Sequence, residues 1–214
     1  VDYPHPIARG GAEHLSTPPH SVHSLVHFYN WSFAHVRTRY SLKWDADMVL
    51  TDAAVRALRD LEWQLEQADV IVKVPRSPLY VADDRRGYVD IELRNTEPWG
   101  WPNKPGYSFV KAMDWELNMW ADRVPSLVLP EWSCVELKYL DADEFGHWTD
   151  TDFLNVRQSR KRREWEVFRA LQGGGVPPEG VELVEAPEGV HVVDFVRDTW
   201  LRERAIRDPF VTGA

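Results

Sequence analysis

Arg39-Tyr40-Ser41-Leu42-Lys43-Trp44-Asp45-Ala46-Asp47-Met48 is the stretch on which the reading of this chain turns. Residues 39–44 are rich in strand formers and end abruptly in two carboxylates flanking one small residue. Pleating points residues i and i+2 to the same side of a strand, so Asp45 and Asp47 are placed to meet one ion. Mg2+ or Mn2+ suits such donors, because hard ions take carboxylate and phosphate oxygens. Ala46 leaves room between them for a diphosphate to approach. A bare acid pair after a strand also serves turn and capping chemistry, so its meaning depends on its surroundings.

Upstream, residues 1–20 read as a short strand end and a loop. Residues 21–37 carry Val22, Leu25, Val26, Tyr29, Phe33 and Val36 at spacings of three and four. That apolar stripe predicts a helix, with Ser21 as its N-cap. Downstream, Thr51 is placed to cap a helix that opens with Asp52 and runs to Gln67. Residues 69–74 predict a strand stopped by Pro75. Leu79–Val81 and Tyr88–Leu93 predict two more around the turn at Asp83–Gly87.

Residues 95–109 read as a loop, because Pro and Gly recur among the aromatics Trp99, Trp101, Tyr107 and Phe109. A short helix is expected from Asp114 to Ala121 and a strand over Val135–Leu140. A long charged helix is expected over 150–172, with Phe153, Val156, Trp165, Phe168 and Leu171 on its buried side. Gly173-Gly174-Gly175 ends it. Residues 176–214 carry one further helix near Val193–Arg204. Strand-helix-strand order followed by mixed strands and a helix argues an α/β fold.

The 214 residues suit one domain with a small appendage and can bury a real core. We expect a core over 1–172 and a C-terminal accessory segment over 173–214. The formal charge of −9 repels phosphate backbones, so nucleic acid is a poor partner. No run reaches the length of a membrane span, and no secretory signal pattern opens the chain. The single cysteine, Cys134, allows neither an internal disulfide nor a cysteine-based zinc site. It reads as a buried inert thiol, and a reducing cytoplasm is the simplest compartment. The basic run Arg157–Arg163 reads as a solvated helix face, with an anionic lipid or diphosphate contact as the other option.

Two stretches resemble GT-A glycosyltransferases, family 2 above all. One is His27-Phe28-Tyr29-Asn30-Trp31-Ser32-Phe33-Ala34, followed by the strand into Asp45-Ala46-Asp47. The other is Lys111-Ala112-Met113-Asp114-Trp115-Glu116-Leu117-Asn118-Met119-Trp120, which resembles that family's ED-W-E-L segment. The resemblance covers roughly residues 15–140. It implies a GT-A-like (Rossmann-like) mixed sheet flanked by helices. It implies transfer of a sugar from a nucleotide-diphosphate sugar to an acceptor hydroxyl on a glycan, a lipid or a small molecule, with inversion. Asp45 and Asp47 would hold Mn2+ or Mg2+, with Asn30 on the cofactor side. Asp114 would be the general base, with Glu116 as its rival because Met113 replaces the family's Glu. Asp114 could equally be a helix N-cap.

The strands that usually precede this region in GT-A domains are missing, so the chain reads as N-terminally short by roughly seventy residues.

His147, after a strand, is a candidate third metal ligand, or else a ring packed on Trp148. His23 and His27 could meet a metal from one helical face, but no third ligand supports them. Trp99, Trp101 and Tyr107 could form a stacking platform for sugar rings or simply cover the sheet. Asp45-Ala46-Asp47-Met48-Val49 also fits the signature of haloacid-dehalogenase-type phosphatases, with Asp45 as nucleophile and Asp83-Asp84 as the later acidic pair. A non-catalytic sugar-binding fragment is the third possibility.

Overall fold

The computed structural model describes residues 2–9, 12–93, 95–112, 115–120, 123–146 and 159–207. The strands are β1 (Tyr40–Leu42), β2 (Met48–Leu50), β3 (Ile71–Val81), β4 (Arg86–Asp90) and β5 (Asn95–Pro102). They continue with β6 (Phe109–Ala112), β7 (Trp115–Asn118), β8 (Ser126–Val128), β9 (Cys134–Tyr139) and β10 (Val181–Glu185). The helices are α1 (Ala12–Ser16), α2 (Leu25–Ala34), α3 (Asp52–Asp60), α4 (Glu62–Gln67), α5 (Ser159–Gln172), α6 (Val192–Phe195) and α7 (Leu201–Arg207). A π-helical turn at Val196–Trp200 joins α6 to α7. The fold is mixed α/β. The chain divides into two compact units, the first from residues 1–43, 64–72 and 98–127, the second from 44–63, 73–97 and 128–214.

In the first unit, β1 pairs antiparallel with β5, Ser41 opposite Trp101. β6 and β7 form an antiparallel hairpin with Lys111 opposite Glu116. Val26, Ile71, Trp101 and Phe109 make the core, with Tyr29 and Phe33 of α2 packed against it. The apolar stripe expected on α2 therefore faces this core. Its N-cap is Ser24, not Ser21: the Ser24 hydroxyl accepts from the His27 N–H at 3.0 Å.

The second unit has the strand order β2-β9-β3-β4-β10. The β9–β3 pair is parallel and the other three pairs are antiparallel. Thr51 caps α3 as expected, accepting from Ala54 N–H. One face of the sheet buries Leu79, Val89, Val135, Val184, Val192 and Val196. Another cluster joins Tyr80 and Phe145 to Val167, Phe168 and Leu171 of α5. The C-terminal segment thus contributes a strand and part of the first of these two cores.

Three local expectations are corrected. Pro75 does not stop its strand: β3 continues through Pro75 and Pro78, each of which removes only one ladder donor. Residues 95–102 are strand rather than loop. Gly100 serves close packing there, since a Cβ would lie 3.1 Å from Val72 Cβ. The helix expected from Asp114 is absent over the described residues, where Trp115–Asn118 is extended as β7. Phe153 and Val156 lie outside the described residues.

Candidate functional site

Asp45-Ala46-Asp47 occupies the turn between β1 and β2. The turn is clamped by its own backbone. Met48 N–H donates to the Asp45 carbonyl at 3.2 Å, and Leu137 N–H donates to the Asp47 carbonyl at 2.7 Å. The second bond continues the register in which Met48 faces Glu136. It brings the acid turn beside β9, where Glu136 and Lys138 alternate with apolar neighbours and so share one face.

That face carries a buried ionic cluster. The Lys138 ammonium, 2% exposed, donates to Glu136 Oε1 at 2.7 Å, Glu144 Oε1 at 3.0 Å and Asp47 Oδ2 at 3.3 Å. Arg76 of β3 reaches Glu136 Oε2 at 2.5 Å through Nη1 and Glu97 Oε1 at 3.1 Å through Nη2. Asn95 and Arg160 also donate to Glu97. Arg160 and Lys161 both pair with Glu164 of α5, a side chain 2% exposed.

The charges hold one another ionised. Burial works hardest against Glu136, yet Arg76 and then Lys138 outweigh it and hold its carboxyl far below the usual range. Burial likewise opposes Glu97, but Arg76 and Arg160 bring it down to about 2. Desolvation also opposes the charge on Lys138, and Glu136, Glu164 and Glu144 overcome it and raise its pKa. Asp45 is among the carboxylates that raise the pKa of Arg76. Among the described residues the cluster counts six carboxylates, Asp45, Asp47, Glu97, Glu136, Glu144 and Glu164. It counts four cations, Arg76, Lys138, Arg160 and Lys161. Of the three carboxylates paired with Lys138, Asp47 is the most exposed, at 38%.

The basic side chains expected on the solvated face of α5 are paired in the same way. Besides Arg160 and Lys161, Arg163 makes a two-pronged pair with buried Asp90 at 2.7 and 2.9 Å, and Arg162 pairs with Glu166. Each of the four described basic side chains of this run thus has an acidic partner within its own unit.

The other expected site residues fall in the first unit. Asn30 is spent on structure: its Nδ2 donates to the Phe109 carbonyl at 3.0 Å and its Oδ1 accepts from Phe109 N–H at 2.7 Å. The Glu116 carboxylate lies 3.9 Å from Lys43 Nζ, and that ammonium stacks over the rings of Tyr29 and Trp99. Trp99 and Trp101 are 1% and 3% exposed, so neither offers a face to a sugar ring. The stacking platform expected there is corrected, because Trp101 packs against Phe33 and Phe109 in the core and Lys43 lies over Trp99. Tyr107 is half-buried against Trp120.

Asp114 and His147 lie outside the described residues. The histidine pair is placed for other work: His27 Nδ1 meets the Tyr3 hydroxyl at 2.7 Å, and His23 Nδ1 meets the Pro6 carbonyl at 2.8 Å. Asp83 and Asp84, the acidic pair a phosphatase would need, sit in the exposed β3–β4 turn, where Arg86 holds Asp83.

Among the described residues, no group of three or more His, Cys, Asp or Glu side chains is arranged to hold a metal. No described helix is long and apolar enough to cross a membrane. Cys134 is buried, and burial pushes its thiol up to about 12. Compared with known proteins, the chain matches no family model, no curated protein and no solved structure.

Proposed function

We propose that this chain is the catalytic part of a nucleotide-sugar-dependent glycosyltransferase with a GT-A-like fold, acting at an acceptor hydroxyl. The observation that carries the reading is the placement of Asp45-Ala46-Asp47. The two acids occupy a backbone-clamped turn between strands, beside a buried cluster of paired carboxylates and cations. The carboxylates of that turn repel the phosphates of a nucleotide diphosphate. A divalent ion removes that obstacle.

The ion this reading calls for is Mg2+ or Mn2+. With no third protein ligand among the described residues, Asp45 and Asp47 would supply two oxygens, and water and diphosphate the rest. Such an ion neutralises charge developing on a leaving diphosphate. This chain's own residues do the positioning. The Leu137 N–H fixes the turn, and Arg76 and Lys138 keep Glu136 ionised beside it. In the first unit, Lys43 Nζ lies 3.9 Å from the Glu116 carboxylate. By the resemblance stated above, Asp114 would take the proton from the acceptor hydroxyl.

The test is calorimetric titration of the protein with UDP and with GDP, in Mn2+ and in EDTA, for wild type and Asp47→Ala. The reading expects binding that needs both Mn2+ and Asp47. Nucleotide binding that survives EDTA, or that Asp47→Ala leaves intact, overturns it.

A further inference from the structure

His14 is the buried residue of α1, and its burial works against the helix that carries it. The side chain is fully enclosed, yet neither Nδ1 nor Nε2 has a hydrogen-bond partner among the described residues. A neutral imidazole carries one N–H and one lone pair, so either tautomer leaves a donor and an acceptor unmet. Enclosed polar groups without partners oppose the arrangement that encloses them. The other residues of α1 bury little: Ala12, Glu13, Leu15 and Ser16 are all exposed.

Two sets of bonds hold the segment. Glu13 gathers the local ones: its carbonyl accepts from Thr17 N–H at 3.0 Å and from the Ser16 and Thr17 hydroxyls, and its carboxylate accepts from Arg9 N–H. From β6, the Lys111 ammonium donates to the carbonyls of His14, Leu15 and Thr17. We propose that residues 12–17 form a strap poised to open, held shut by Lys111 and driven toward opening by His14. Both residues belong to the first unit, so the balance is set inside it. Opening lets water meet both ring nitrogens, the three carbonyls and the ammonium at once, and it exposes the apolar surface of one enclosed side chain. The strap therefore opens while α2 stays folded, and each opening frees the Lys111 ammonium from its carbonyls.

The experiment reads amide hydrogen exchange in the full chain at one pH and temperature. Thr17 reports on the strap, and Phe28, whose N–H donates to the Ser24 carbonyl at 3.0 Å, reports on α2. Wild type is compared with His14→Leu and His14→Met, with circular dichroism as the check on folding. Both substitutions keep an apolar body in the enclosed position and remove the two unmet groups. Met, being unbranched, adapts to a space that Leu does not fit. The proposal expects Thr17 to exchange faster than Phe28 in the wild type. It expects a His14 variant to slow Thr17 by about tenfold and to leave Phe28 unchanged. A histidine that merely packs in the core predicts the reverse, because its replacement loosens the segment.

Slower exchange at Thr17 in either variant, at constant Phe28, supports the proposal. Unchanged or faster exchange at Thr17 in both variants overturns it, and so does the unfolding of both, since the ring is then a net support. Equal exchange of Thr17 and Phe28 in the wild type also overturns it, because the segment then opens only with the rest of its unit.

Discussion

Arg76 Nη1 and Glu136 Oε2 meet at 2.5 Å with both side chains only 6% exposed, and this pair is the centre of the second unit's charge network. Two adjacent strands supply it, in a register where Arg76 faces Cys134 and Pro78 faces Glu136. Removing one partner strands the other in a site that water reaches poorly. Arg76→Met should therefore destabilise the protein by about 3–5 kcal/mol, the usual result of breaking a buried pair. Urea unfolding followed by tryptophan fluorescence measures this, and a loss below about 1 kcal/mol would show that the network relaxes around the gap.

The same network predicts an acid limit. Glu97 lies at about 2 in the folded chain against an ordinary value of 4.5, because Arg76 and Arg160 overcome the effect of its burial. A depressed carboxyl contributes stability that is complete above its unfolded value and disappears as pH falls through its folded value. Glu136 is shifted the same way. Stability should hold above a pH of about 4.5 and fall steadily toward pH 2. Thermal melts across that window test it, and Glu97→Gln should flatten the slope. A wild-type melting temperature that does not change below pH 4.5 contradicts the assignment.

Helix caps and helix faces are legible locally, and the reason is physical. Thr51 caps α3 because a hydroxyl followed by Asp52 and an apolar period is a local signal, complete within one turn. Phe168 and Leu171 were placed on the buried side of α5 by spacing alone. Trp99 and Trp101 read as loop residues because Pro98, Gly100 and Pro102 look like loop chemistry. What makes them a strand is pairing with β1, some sixty residues away. The ionic cluster was missed for the same reason. Its members come from the acid turn, β3, β5, β9, the segment after β9 and α5, and no local period joins them. The one available signal was Glu136-Leu137-Lys138, with charges alternating inside a strand that ought to be apolar.

Asn30 offers a test of local rigidity in the first unit. Its amide satisfies both the N–H and the C=O of Phe109 at the start of β6, and Phe109 is a core residue. Asn30→Ala leaves two backbone groups without that partner and should destabilise the chain by about 2 kcal/mol. Asn30→Asp keeps the acceptor but loses the donor and should fall between. Chemical denaturation of the three proteins checks the order. Equal stability for wild type and Asn30→Ala would mean that water replaces the amide.

Lys111 makes the last prediction. Its ammonium donates to the carbonyls of His14, Leu15 and Thr17 at 2.5, 2.8 and 2.8 Å. These are the carbonyls that a short helix such as α1 leaves open at its C-terminal end, where a positive charge is also favoured by the helix dipole. Five residues cannot sustain a helix by themselves, so α1 depends on this tether and on the burial of His14. Lys111→Met keeps the length of the stem and removes all three donors. Hydrogen exchange across residues 12–17 should then quicken by about tenfold or more, while exchange in β3 and β9 is unchanged, because opening of α1 is local. Uniform quickening of both regions would show that α1 opens only with global unfolding, and unchanged exchange at 12–17 would show that Lys111 does not hold it.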